Sequence, residues 1–264
     1  MSKSIHCTKD ELQKELNCIY EQWSIQALNI CRHLEPDLKY SNPYYIYVPE
    51  TWVKAKNRIM IVGEEGYGIW GRGSKFCTAY GKDYGYEWKW EFNDIGKIQS
   101  YNGKSISDYG KSTPFWRRYS AIAQICGFDI ACVWNNLDKI HSIEKRPKLC
   151  YRLSESEECA LHSTNIKILK EEINILQPSV IVFFGWHYKA LEMENLFSKE
   201  KYEELYNNWY KCRDDKNWIA ELEYELNGKT VKCIFTQHPG WRGKHKPKNY
   251  EETIIKLVES NLCK

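Results

Sequence analysis

The sequence predicts an α/β fold, a three-layer α/β/α sandwich around a central, mostly parallel four-stranded sheet with an added N-terminal helix. Three observations carry that prediction. Short apolar runs recur along the 264 residues, at Arg58–Val62, Asp129–Trp134, Pro178–Phe184 and Val231–Thr236. They are rich in β-branched and aromatic residues, as strands buried on both faces are. Longer helical patterns separate the runs, and that alternation is the signature of βαβ units. Each run also breaks abruptly, at Gly63, Asn135-Asn136, Gly185 and His238-Pro239-Gly240.

The first element is a long amphipathic helix from Thr8 to His33, within an extension over residues 1–50. Thr8 with Glu11 makes a capping box, and Leu12, Leu16, Ile19, Tyr20 and Trp23 recur at helical spacing. Glu35-Pro36 ends it, and the stripe is read as packing against the sheet. Residues 72–111 form an insertion rich in Gly, Tyr and Trp, with Tyr80, Tyr84, Tyr86, Trp88, Trp90, Tyr101 and Tyr109. Such rings stack on unpaired bases or sugars, or pack together as a satellite cluster. A second insertion, 186–217, is charged and helical in pattern and suggests no role. Asn227-Gly228 between apolar runs is a hairpin signal, so an extra antiparallel strand is expected to border the sheet. A last helix starts at Asn249, with Ile254, Ile255 and Leu257 assigned to the core. All of this fits one domain spanning 1–264.

Composition sets limits. A formal net charge of +3 permits nucleic-acid binding without demanding it. No stretch is apolar and long enough to cross a membrane, and the amino end lacks a signal-peptide core. The 11 cysteines are an odd number and contain no Cys-x-x-Cys, which points to free thiols in a reducing cytoplasm. Cys159 has no matching set of partners for a cluster, so no metal and no cofactor are expected, nor an obligate protein partner.

The run endings carry the chemistry. Glu64 and Glu65 follow the first strand, Asn135 and Asn136 end the second, and His238 follows the last. Parallel strands bring carboxylate, amide and imidazole to one carboxyl edge, where open α/β sheets bind ligands. A phosphate cradle is disfavoured, because two adjacent glutamates repel phosphate and the glycines lack dinucleotide spacing.

In this order and strand context the chain resembles the uracil-DNA glycosylase superfamily over roughly residues 57–260. Its members have a first-strand motif of the Gly-Gln-Asp-Pro-Tyr or Gly-Glu-Ala-Pro-Gly type, a strand ending in Asn, an apolar strand ending in Gly, and a late His-Pro-Ser-Pro. Here Gly63-Glu64-Glu65-Gly66-Tyr67, Val133-Trp134-Asn135-Asn136-Leu137, Val180-Ile181-Val182-Phe183-Phe184-Gly185 and His238-Pro239-Gly240-Trp241 are similar. The resemblance implies hydrolysis of an N-glycosidic bond in DNA. Glu65 takes the place of the water-positioning acid, with Glu64 able to share or replace it. His238 becomes the donor to the leaving base. Asn136, or Asn135 if the strand is one residue shorter, pairs with the base edge, and Gly63, Gly66 and Tyr67 line the base pocket.

The departures from the pattern also inform. Gly66 and Gly68 replace a Pro and a His, and Gly240-Trp241 replaces Ser-Pro. Glycine removes volume and loosens the loop, so the pocket is expected to be roomier than one built for uracil. Some bacterial members of the superfamily act against phages whose DNA carries glucosylated hydroxymethylcytosine, and a bulky modified pyrimidine of that kind is the favoured substrate. Uracil repair, a catalytically silent DNA-binding module and hydrolysis of free nucleosides are the alternatives.

DNA is the implied partner, because a base in a duplex must be flipped out to react. Trp241 or Arg242 stands where the family carries its wedge, and Arg242, Lys244, His245, Lys246 and Lys248 form a basic tract suited to phosphates. A second contact segment is read around Ser112, Thr113 and Arg117. Ser112 or Thr113 caps a helix opening on Pro114, whose amino end beside Arg117 and Arg118 suits a phosphate.

Overall fold

The computed structural model describes residues 8–31, 40–41, 45–63, 72–73, 90–92, 98–101, 104–105, 114–125, 129–139, 155–185, 196–214, 218–240, 247 and 249–262. In chain order these form α1 (Lys9–Cys31), β1 (Tyr40–Ser41), α2 (Glu50–Lys54), β2 (Asn57–Gly63) and β3 (Arg72–Gly73). Then come β4 (Trp90–Phe92), β5 (Ile98–Tyr101), β6 (Lys104–Ser105), α3 (Pro114–Ala123), β7 (Ile130–Asn136) and α4 (Glu155–Leu176). The chain closes with β8 (Val180–Phe184), α5 (Lys199–Asp214), β9 (Ile219–Leu226), β10 (Lys229–Thr236) and α6 (Tyr250–Leu262).

Local chemistry explains the element ends. The Thr8 N–H donates to Glu11 Oε2 at 2.7 Å, and the Glu11 N–H donates to Thr8 Oγ1 at 3.2 Å. These are the reciprocal bonds of a capping box. The apolar face of α1 buries Leu12, Leu16, Tyr20 and Trp23. Its neighbour is α4, so the helix packs on a layer that itself covers the sheet rather than lying directly on the strands. At the other end, α6 buries Ile254, while Ile255 and Leu257 are partly buried against the core.

The central sheet has five strands in the order β7-β2-β8-β10-β9, not the four expected. β7, β2, β8 and β10 run parallel, and β9 pairs antiparallel with β10. The fifth strand comes from the Asn227-Gly228 turn, where both residues take positive φ, 50° and 76°. That is the geometry of a tight hairpin turn whose twist matches its strands. β9 alternates buried and exposed residues as a one-sided edge strand does, whereas β8 is buried throughout. β4, β5 and β6 make a separate antiparallel sheet inside the first insertion, and β1 pairs with β3. The second insertion is helical where described. Phe197, just before α5, sets its ring 5.9 Å from Phe235 and 5.6 Å from Tyr224, tying the segment to β9 and β10.

Register assigns side chains to faces. Val62 pairs with Asn135 and with Phe183, and Phe183 with Phe235. Paired residues of parallel strands share a face, and successive residues alternate, so Asn135 lies on that face and Asn136 on the other. Glu172 of α4 bonds Asn135 on the first face. Phe115 of α3 packs on Trp134 and Phe184, and Arg118 on Thr236, on the second. Helices therefore cover both faces.

Candidate functional site

Four parallel strands end together on one edge, at Gly63, Asn136, Phe184-Gly185 and Thr236-Gln237-His238. Gly63 pairs with Asn136, and the Leu137 N–H donates to the Gly63 carbonyl at 2.8 Å. A Cβ at Gly63 would lie 2.7 Å from Asn136 Oδ1 and 3.0 Å from Phe115 Cε2. The glycine is required by that close approach rather than by its backbone angle. Gly63→Ala is expected to destabilise the protein by about 1–3 kcal/mol, as overpacking does, read as a lower urea midpoint. An unchanged midpoint would mean that Asn136 and Phe115 yield freely.

The orientation of the Asn136 amide follows from its neighbour. Trp134 Nε1 bonds Asn136 Oδ1 at 3.0 Å. An indole N–H can only donate, so the oxygen faces the tryptophan and the NH2 points the other way. Asn136 is fully buried, and its Nδ2 has no hydrogen-bond partner among the described residues. A buried donor left open asks for an acceptor. Phe115 supplies the adjoining aromatic wall, held by Trp116, Trp134 and Phe184 at ring separations of 4.9, 5.6 and 5.4 Å.

His238 lies two strands from Gly63, about 10 Å along the edge at the usual strand spacing. The Gly240 N–H donates to His238 Nδ1 at 3.1 Å. A nitrogen that accepts carries no proton, so the neutral ring bears its hydrogen on Nε2 and can donate there. A Cβ at Gly240 would come within 3.1 Å of Nδ1 and 3.2 Å of Cε1, so a side chain here would press on the ring. The base of this turn is clamped by Arg118. Its guanidinium bonds both Glu251 oxygens, at 2.6 and 2.8 Å, the Thr236 hydroxyl at 3.2 Å and the Gln237 carbonyl. Phe184 and Tyr250 lie under it, 5.2 and 5.4 Å away, and the Tyr250 hydroxyl accepts the Gln237 N–H at 2.8 Å. Beside this clamp a cavity of 260 Å³ opens between Pro114, Arg117, Ala121 and Pro239. Arg117 is exposed and Arg118 is buried.

Asn135 belongs to a different assembly. Its Nδ2 donates to Glu172 Oε2 at 2.8 Å, and its Oδ1 accepts from Lys139 Nζ and from the Asn136 N–H, the latter at 2.8 Å. Lys139 reaches both Glu172 oxygens at 2.7 Å, and the Tyr20 hydroxyl donates to Glu172 Oε1 at 2.8 Å. Lys139 and Glu172 are both 0 % exposed. Burial pushes the Lys139 ammonium below the usual lysine range, and the Glu172 carboxylate opposes that shift. With its amide committed here, Asn135 faces away from the edge that Gly63, Asn136 and Phe115 form.

Of the residues read from sequence, the structure brings Gly63 and Asn136 together and sets His238 on the same edge, with Arg117 beside its loop. Glu64, Glu65, Gly66, Tyr67, Ser112, Thr113, Trp241, Arg242, Lys244 and Lys246 lie outside the described residues. Sequence reading missed Phe115, whose local signal is its place in the first turn of a helix opening on Pro114. It set Arg118 beside a phosphate, whereas the side chain is buried and its guanidinium is taken by Glu251, Thr236 and Gln237. Lys139 and Glu172 had no signal, since each reads as a surface charge. Among the described residues no cluster of His, Cys, Asp and Glu could hold a metal ion, and no helix is long and apolar enough to cross a membrane.

Fold and site together define an α/β protein with a candidate ligand site at the carboxyl edge of a mostly parallel sheet. No protein-family model and no curated protein matches the chain.

Proposed function

We propose that the chain is a DNA glycosylase of the uracil-DNA glycosylase type, which hydrolyses the N-glycosidic bond of a flipped-out base and leaves an abasic site. The observation that carries this reading is the Asn136 amide. It is buried at the sheet edge with its NH2 open among the described residues, beside an aromatic wall and on the same edge as an imidazole that can donate from Nε2. A planar base is recognised by such a set, by hydrogen bonds to its edge and an aromatic ring near its face.

Each group has a role in that reaction. Asn136 reads the base edge, and Phe115 stacks on the base. His238 Nε2–H donates to a base oxygen as negative charge gathers on the leaving group, the logic of an oxyanion hole. A carboxylate directly after β2, Glu65 by preference and Glu64 otherwise, holds the attacking water and faces the positive charge of the oxocarbenium-like sugar. Arg117 and the basic tract after His238 hold phosphates.

A cytosine-derived base is favoured over uracil. Trp134 occupies Asn136 Oδ1, so the amide presents a donor. Cytosine meets that donor at N3 and uracil at O4, so the preference rests on room in the pocket. Glycines at 66 and 68 carry no side chain to fill the pocket, and a glucosylated hydroxymethylcytosine of phage DNA fits a roomier site, which makes anti-phage defence the proposed context.

Base release followed by mass spectrometry tests this on unmodified DNA, uracil-containing DNA and phage DNA with glucosylated cytosines. Release of a glucosylated base supports the full proposal, and release of uracil alone returns the protein to base-excision repair. Tight DNA binding without release from any of them would mark a silent module. In the same assay Glu65→Ala is expected to slow release by about 100- to 10,000-fold, as loss of a positioned acid or base does. A larger loss in Glu64→Ala would transfer the role to Glu64.

A further inference from the structure

We propose that Lys139 and Glu172, joined by Tyr20, are positioning residues for Asn136, so that helices α1 and α4 take part in setting the site. The inference rests on the reading of Asn136 as the base-contacting amide.

β7 is an edge strand of the sheet. The Leu137 N–H turns inward to the Gly63 carbonyl, so the Asn136 N–H before it turns outward, where an edge strand finds no ladder partner. Asn135 closes that gap with its own side chain, accepting the Asn136 N–H on Oδ1 at 2.8 Å. Lys139 grips the same oxygen from the turn beyond the strand, and Glu172 holds the Asn135 NH2 at 2.8 Å. Both partners are locked in turn. Glu172 takes Lys139 on both oxygens and the Tyr20 hydroxyl at 2.8 Å, and the Tyr20 oxygen accepts the Ile46 N–H at 3.0 Å. Tyr20, Asn135, Asn136, Lys139 and Glu172 are all 0 % exposed.

An ion pair so deep is a poor way to hold a fold together, since well-packed apolar residues do as well or better. An apolar pair cannot grip the Asn135 amide at both ends. That grip fixes the peptide from which the Asn136 side chain springs, and the chain Tyr20–Glu172–Lys139–Asn135 is the support that a precise site needs behind it.

The test is the double variant Lys139→Met/Glu172→Leu, which keeps volume and removes both charges. With folding retained, kcat for base release is expected to fall about 100-fold, the effect of a misplacement near 1 Å, while KM stays within about 3-fold because phosphate contacts dominate DNA affinity. Hydrogen exchange of the Asn136 backbone amide, read by NMR, is expected to quicken by a similar factor. A folded double variant with wild-type kcat and wild-type exchange overturns the proposal. Should that variant not fold, Tyr20→Phe removes the bond to Glu172 together with the acceptor of the Ile46 N–H, and about a 5-fold change in both readouts is expected; no change overturns the proposal equally. If the wild-type protein releases no base, the glycosylase reading has failed, and exchange at Asn136 alone then decides the positioning role.

Discussion

His238→Ala is expected to slow base release by about 100- to 1,000-fold, the usual effect of removing one donor to a developing oxyanion. The Gly240 N–H occupies Nδ1 and thereby dictates the tautomer, so the hydrogen on Nε2 is the one withdrawn. Loss of the ring strands the Gly240 N–H, at about 1 kcal/mol. The clamp beneath it is held by bonds among Arg118, Thr236, Gln237 and Tyr250. His238→Gln should recover part of the rate, since its amide nitrogen reaches about as far as Nε2. Single-turnover release on the best substrate reads all three proteins. A His238→Ala rate within a few-fold of wild type would remove His238 from the mechanism and leave the turn as a structural feature.

Lys139→Ala is expected to have the largest effect on stability. Removing the ammonium leaves the Glu172 carboxylate 0 % exposed, held only by Tyr20 and Asn135 among its described bonds. Breaking a buried pair in this way costs about 3–5 kcal/mol. At about 2–4 °C per kcal/mol for a chain of this size, Tm should fall by roughly 6–20 °C. The double variant Lys139→Met/Glu172→Leu should recover most of that loss, because it removes both charges rather than stranding one. Thermal unfolding of the three proteins side by side checks the claim, and a Lys139→Ala midpoint equal to wild type would mean that water reaches Glu172.

The two variants separate two kinds of residue. Asn136 and His238 belong to the proposed site, whereas Asn135 and Lys139 lie in the interior behind it. Loss of function with stability kept is expected at His238, whereas Lys139→Ala is expected to lose stability as well as function.

Much of the architecture was legible in the chain because it depends on neighbours. The reciprocal bonds of Thr8 and Glu11 span three residues, and the Asn227-Gly228 turn is dictated by two. Apolar runs that stop at Gly63, Asn136 and His238 identify strand ends, and parallel strands place those ends on one edge. The sheet has five strands rather than four, and the fifth is the antiparallel strand that the hairpin signal sets at its border.

The sequence by itself determined the strands, their ends and the residue types that meet at the carboxyl edge, since these follow from local periodicity and turn chemistry. Tertiary structure alone decided which asparagine shares a face with Phe115 and which is held by Glu172. Alternation says that Asn135 and Asn136 point opposite ways, but only the register against β2 and the helices on each face say which way is which. It also decided that Lys139 and Glu172, 33 residues apart, are buried partners instead of surface charges. No local pattern encodes that pairing, because it exists only once α1, α4 and the end of β7 have closed around it.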